Sequence, residues 1–200
     1  MRDATEVVPD IDGQHRSRAG DAAVAALADE QHGVVARRQL QALGLALDAI
    51  DHRVEQRRLH VLHRGVYAVG HRSLTRSGYW MAAVLACGDG AVVSHRTAAA
   101  LWGISDTARA AIEITAPRER RRPGIDVHHV RLRADKTTVH RGVPVTTAAR
   151  TLLDLAAVLD EQRLARAAER AEALRLASAT SLEALVPRYP RRPGPQPSSA

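Results

Sequence analysis

What most constrains the fold of this chain is a change of hydrophobic period near residue 59. Before it, apolar residues recur at helical spacing in three short segments; after it, strand formers take over. The first segment, Asp21 to Gln31, puts Val24, Leu27 and Ala28 on one face, with Asp21 as N-cap and Gly33 just past the end. Val34-Val35 then link to a second helix, Ala36 to Leu43, with Leu40 and Leu43 inward. A third helix is predicted from about Leu45 to Arg58, with Leu47, Ile50 and Val54 inward. Beyond it Val61, Leu62, Val66, Tyr67 and Val69 favour strands, and Gly65 after Arg64 permits a tight reversal. Short helices followed by such a hairpin have the order of a winged helix-turn-helix.

A second region opens near Leu74. Helices are predicted over Arg76–Ala86, over His95–Trp102 with Ser94 as cap and Gly103 as stop, from Thr146 or Thr147 through Leu159, and from Asp160 to about Leu176. Short strands are predicted at Ala91–Val93, Ala111–Thr115, Ile125–Leu132 and Gly142–Val145. The expected class is α+β: a winged helix-turn-helix over 21–73, then a small mixed α/β domain over 74–176. Residues 1–20 are polar without period and 177–200 are rich in proline, so a disordered arm and a disordered tail are expected at the two ends.

Charge points to a partner. The chain carries a net +7, and residues 36–76 hold eight arginines against the acids Asp48, Asp51 and Glu55. A basic surplus of this kind favours polyanions, because neutralised phosphates release counterions. With Leu47, Ile50 and Val54 inward, the outward face of the third helix carries Ala49, His52, Arg53, Gln56 and Arg57. Arg53 and Gln56 have the donor geometry for bidentate base contacts in a major groove. Arg37 and Arg38 open the second helix, where a helix-turn-helix grips phosphates, and Arg64 sits at the hairpin tip. These eight residues form the expected contact set with double-stranded DNA. Asp51 and Glu55 oppose it unless paired, and helical spacing offers them Arg57 and Arg58. A second basic run, Arg118-Glu119-Arg120-Arg121-Arg122, suits either phosphates or an acidic protein.

Other chemistries lack their residues. One cysteine excludes an internal disulfide and any cysteine cage for zinc. The ten histidines match no metal spacing, and no cofactor is expected. Ser94, His95 and Asp106 lack the glycine-framed turn of a serine nucleophile. Lys136, the single lysine, follows Asp135 rather than glycine, so no phosphate-binding loop is present; Ala134 rules out a Glu-x-Lys nuclease motif. No leader peptide and no membrane span are read, so a cytoplasmic protein that is not an enzyme is expected.

Three blocks of sequence resemble one family. The hairpin run Leu59-His60-Val61-Leu62-His63-Arg64-Gly65-Val66-Tyr67-Ala68-Val69-Gly70 is similar to that of AbiEi-family antitoxin domain proteins of actinobacteria, and so are the stretches from Val92 to Gly103 and from Gly142 to Ala156. The resemblance runs from about Ala22 to Leu176. It implies a winged-helix DNA-binding domain followed by an antitoxin-like α/β domain. It also implies a regulator that represses its own operon and counteracts a nucleotidyltransferase-like toxin in a type IV system. Many relatives continue into an endonuclease-like domain; here a proline-rich segment follows instead, and no nuclease role is expected. Ala36 and Ala46 replace the hydroxyl caps of relatives, at a cost of about 1 kcal/mol each. Asp51 replaces a basic or neutral residue. Two alternatives stand beside the regulator: a protein-interaction module without DNA binding, and a remnant of an endonuclease-linked protein.

Overall fold

The computed structural model describes residues 11–105, 111–119 and 121–176. It divides between Gly78 and Tyr79 into two units. Both mix helices with sheet, so the fold is α+β.

The first unit runs α1 (Ile11–Glu30), β1 (Val34–Ala36), α2 (Arg37–Ala42), α3 (Leu47–Glu55), β2 (Leu59–His63) and β3 (Val66–Val69). The start of α1 corrects the sequence reading. The helix begins at Ile11, inside the span expected to be a disordered arm, so Asp21 lies in mid-helix and caps nothing. Residues 1–10 and the expected tail, 177–200, lie outside the described residues. Val34-Val35 is no mere link: it is a strand pairing antiparallel with β3, giving a three-stranded sheet of order β1-β3-β2. The core gathers Val24, Ala28, Val35, Leu40, Ile50, Leu59 and Tyr67, with Leu45 and Val54 packed against it. Because α3 starts at Leu47 rather than Leu45, Leu45 in the preceding turn takes the core position. Leu47 is left 51% exposed, and Leu43 is exposed as well; both were expected inward. Each fully buried aliphatic side chain here stabilises the unit by about 1.5–3 kcal/mol.

Both short helices lack a capping hydroxyl, as Ala36 and Ala46 require, and both improvise. The Gln39 side chain accepts a hydrogen bond from the Ala36 backbone N–H at 2.8 Å, and the Asp48 carboxylate accepts one from Ala49 N–H at 2.8 Å. Gly78 marks the end of the unit: a Cβ there would meet the His32 carbonyl oxygen at 2.8 Å, so only glycine fits.

The second unit contains most of α4 (Arg76–Cys87), then β4 (Val92–Val93), α5 (His95–Trp102), β5 (Ile112–Ala116), β6 (Ile125–His129), a 3-10 turn (Ala134–Lys136), β7 (Thr137–His140), β8 (Val143–Thr146), α6 (Ala148–Ala156) and α7 (Glu161–Ala173). Its sheet has the order β6-β5-β4-β8-β7, with β5–β6 and β4–β8 parallel and the other pairs antiparallel. The sequence reading omitted β7, whose Thr-Thr-Val-His has no clear alternation and leaves Val139 65% exposed. Alternation across the strands sorts the sheet into two faces. Val93, Ile114, Val127 and Val145 share one face; Glu113, Thr115, His128 and Thr146 share the other. Ala99, Ile104, Ala148, Leu152, Leu155, Ala167 and Ala171 form the core among the helices. Thr147 and Asp160 cap α6 and α7 as their sequence positions predict.

Candidate nucleic-acid interface

The expected contact set falls into two groups. At the start of α2, the Arg37 backbone N–H donates to the Gly65 carbonyl at 2.8 Å, which sets this turn beside the hairpin tip. Arg38 follows on the exposed side of α2, and Arg64 is exposed at the tip, where Gly65 takes φ +75°. Arg37 itself is held. Its Nε donates to Tyr67 Oη at 2.7 Å and its Nη2 to Asp51 Oδ1 at 2.6 Å, while the guanidinium carbon stands 5.8 Å from the Tyr67 ring centroid. The Tyr67 hydrogen bond, with help from Asp51, raises the Arg37 pKa above its ordinary value.

The roll of α3 departs from expectation. Arg53 was placed on the outward face, but its side chain is only 13% exposed and turns toward α1. Its Nη2 and Nε donate to Asp21 Oδ1 at 2.7 and 3.2 Å, and its Nη1 donates to the Ala49 carbonyl at 3.1 Å. Ala49 is half-buried beside it. At about 100° per residue, the exposed arc is instead Leu47, Asp48, Asp51, His52, Glu55 and Gln56. His52 and Gln56 therefore remain outward, hydrogen-bonded to each other at 2.7 Å. Arg57 is exposed but lies past the helix end, in a left-handed turn at φ +59°. The carboxylates also take partners other than Arg57 and Arg58: Asp51 takes Arg37 and Glu55 lies 3.7 Å from His52 one turn back, while Arg58 joins Asp21 at 3.4 Å.

Charge follows suit. Over residues 1–78 there are eleven arginines and ten acids, leaving +1 of the total +7. The remaining +6 belongs to residues 79–200, so the surplus read from 36–76 alone is largely offset by acids outside that window. In the second basic run Arg118 and Arg121 are exposed and Arg120 lies outside the described residues. Arg122 donates from Nη1 to the Arg121 carbonyl, and its buried Nε has no partner among the described residues.

The polar face of the second sheet was not anticipated at all. Glu113, 1% exposed, accepts from the Arg96 backbone N–H at 2.8 Å and from its Nη1 at 3.0 Å; Arg96 Nη2 reaches the Val158 carbonyl at 2.6 Å. A strand carboxylate thus caps α5. Ser94, read as that cap, makes no side-chain cap bond and pairs with His95 Nδ1 at 3.0 Å. His95, at φ +50°, stacks on His128 with centroids 3.6 Å apart. Burial, then His128 and the nearby Arg150 and Arg96, push His95 down to about 3. Burial lifts Asp154 to about 6 against the pull of Arg150, which it meets at 2.8 Å. Thr115 Oγ1, His128 Nε2 and Asp154 Oδ2 are buried without a partner among the described residues. Asp106 lies outside the described residues, and Ser94 is fully buried. Among the described residues no group of three His, Cys, Asp or Glu is placed to hold a metal ion.

A family model described as the AbiEi antitoxin C-terminal domain matches residues 90–192, just over half of the chain. The chain belongs to the AbiEi antitoxin family. That family is not a class of enzymes. The antitoxin also resembles a solved structure, that of the RV2827C protein from Mycobacterium tuberculosis, at 16% identity with a TM-score of 0.51. The likeness covers 86% of the antitoxin and 72% of that protein, and it speaks to fold alone. A comparison with curated proteins finds no match. No helix among the antitoxin's described residues is long and apolar enough to cross a membrane.

Proposed function

We propose that this antitoxin is also a DNA-binding regulator, whose first unit is a winged helix-turn-helix that grips duplex DNA and represses its own operon. The observation that carries the reading is the element order: helix, strand, two short helices, then a hairpin whose second strand is sandwiched in a three-stranded sheet. Arg38 and Arg64 supply exposed cations at the start of α2 and at the tip, and Arg57 adds one past α3. His52 on α3 and Gln56 just past its end are outward side chains with hydrogen-bonding capacity for base edges. Arg53 and Ala49 leave the set, since Asp21 holds Arg53 away.

With Arg53 held by Asp21 and Arg37 by Asp51, binding is weaker and less salt-sensitive than the full set would give. With about three phosphates neutralised, log K falls against log salt with a slope of roughly −2 to −3. Mobility shifts with the duplex upstream of the coding sequence test this across a salt series. Arg38→Ala and Arg64→Ala each flatten the slope by about 0.9. No shift at low salt removes the reading. The toxin partner that the family implies is, on this reading, a nucleotidyltransferase-like protein in a cytoplasmic system. Rescue of growth when the two are co-expressed tests it.

The exposed arc of α3 favours a second reading. Asp48, Asp51 and Glu55 lie at its centre and repel phosphates, which suits an interaction module that meets a protein instead. Binding to its own upstream duplex decides against that module.

A further inference from the structure

Within the DNA-binding reading, we propose that Asp51 sets how tightly the first unit holds a duplex, by occupying the guanidinium of Arg37 that a phosphate would otherwise take. Arg37 is the cation best positioned for the task. Its backbone is fixed against the hairpin tip through Gly65, and its Nε is tethered to Tyr67 Oη at 2.7 Å. The guanidinium is therefore held in one place, at the start of α2 and beside the hairpin tip. Its remaining edge meets Asp51 at 2.6 Å.

That contact is displaceable. The two side chains are 37% and 57% exposed, and exposed ion pairs are worth only about 0–1 kcal/mol. A phosphate can accept from the same Nη2, and from Nη1 beside it, in a bidentate fork. By contrast, Arg53 is 13% exposed and faces α1, so its own pair with Asp21 fixes helix packing and competes with nothing. The neighbouring carboxylates supply internal controls. Asp48 accepts from the Ala49 backbone and Glu55 meets His52, and neither holds an arginine among the described residues.

The test is fluorescence anisotropy of the full chain on a labelled upstream duplex over a salt series. Asp51→Asn is expected to tighten binding roughly threefold to tenfold at low salt and to steepen the salt slope by about 0.9, one more phosphate neutralised. In an Arg37→Gln background the same change is expected to gain nothing, and Asp51→Glu is expected to match the parent protein. Equal tightening in both backgrounds, or from Asp48→Asn, means a general charge effect and overturns the proposal. Unchanged or weaker binding by Asp51→Asn also overturns it. Failure of every form, the parent included, to bind the duplex removes the DNA-binding reading and this inference together. Thermal unfolding of each variant checks that the fold is intact.

Discussion

Asp21 Oδ1 lies 2.7 Å from Nη2 of Arg53, and the other oxygen of the same carboxylate lies 3.4 Å from Nη1 of Arg58. One side chain in the middle of α1 thereby fixes both the roll and the exit of α3. The arginine with the best geometry for reading a base is spent on holding two helices together.

Removing that carboxylate is expected to act on stability. Asp21→Ala leaves the mostly buried Arg53 without its anion, and the expected loss is about 1–2 kcal/mol, tempered by the partial exposure of Asp21. Asp21→Asn keeps one acceptor and costs less. Urea unfolding measures both. A loss under about 0.3 kcal/mol for Asp21→Ala means the pair does not orient α3.

Two leucine-like positions of α3 separate the sequence pattern from the packing. Ile50 is fully buried, so Ile50→Ala should cost about 2–5 kcal/mol. Leu47, half exposed, should cost under about 0.5 kcal/mol when replaced by alanine. Comparable losses at the two positions would return Leu47 to the core.

In the second unit, Glu113 bridges β5 to the start of α5 and, through Arg96, to the chain beyond α6. Glu113→Ala strands Arg96 in a site where its side chain is 18% exposed, and the expected cost is about 3–5 kcal/mol. Replacing both partners, Glu113→Leu with Arg96→Met, should recover a large part of it. A double variant as unstable as Glu113→Ala alone would mean the bracket is irreplaceable by packing.

Acid should weaken the second unit, and the sign follows from the shifts. His95 titrates at about 3 in the fold against 6.5 unfolded, so the unfolded chain binds the proton first and stability falls as pH drops from 6.5 toward 3. His128 and His140, also lowered by burial, push the same way. Asp154 opposes them. Its pKa of about 6 against an ordinary 3.8 makes stability rise as pH falls through that window. His95→Asn tolerates the positive φ and should flatten the acid limb, read from urea midpoints between pH 7 and pH 4. An acid limb identical to that of the parent would exonerate His95.

Periodicity and caps carried much of this protein in the sequence itself. The three helices before residue 59, the hairpin turning at Gly65, and the caps at Thr147 and Asp160 are local matters, fixed by spacing and by one side chain reaching its own backbone. The family was legible for the same reason, since its blocks are contiguous. The tertiary structure decided which side of α3 faces out, because that depended on Leu45 displacing Leu47 and on Asp21 reaching across 32 residues to Arg53. It also decided that Glu113 rather than Ser94 caps α5, and that four polar side chains share one sheet face. Ion pairs and strand register join residues far apart in the chain. Their partners are chosen by packing, which no local pattern records.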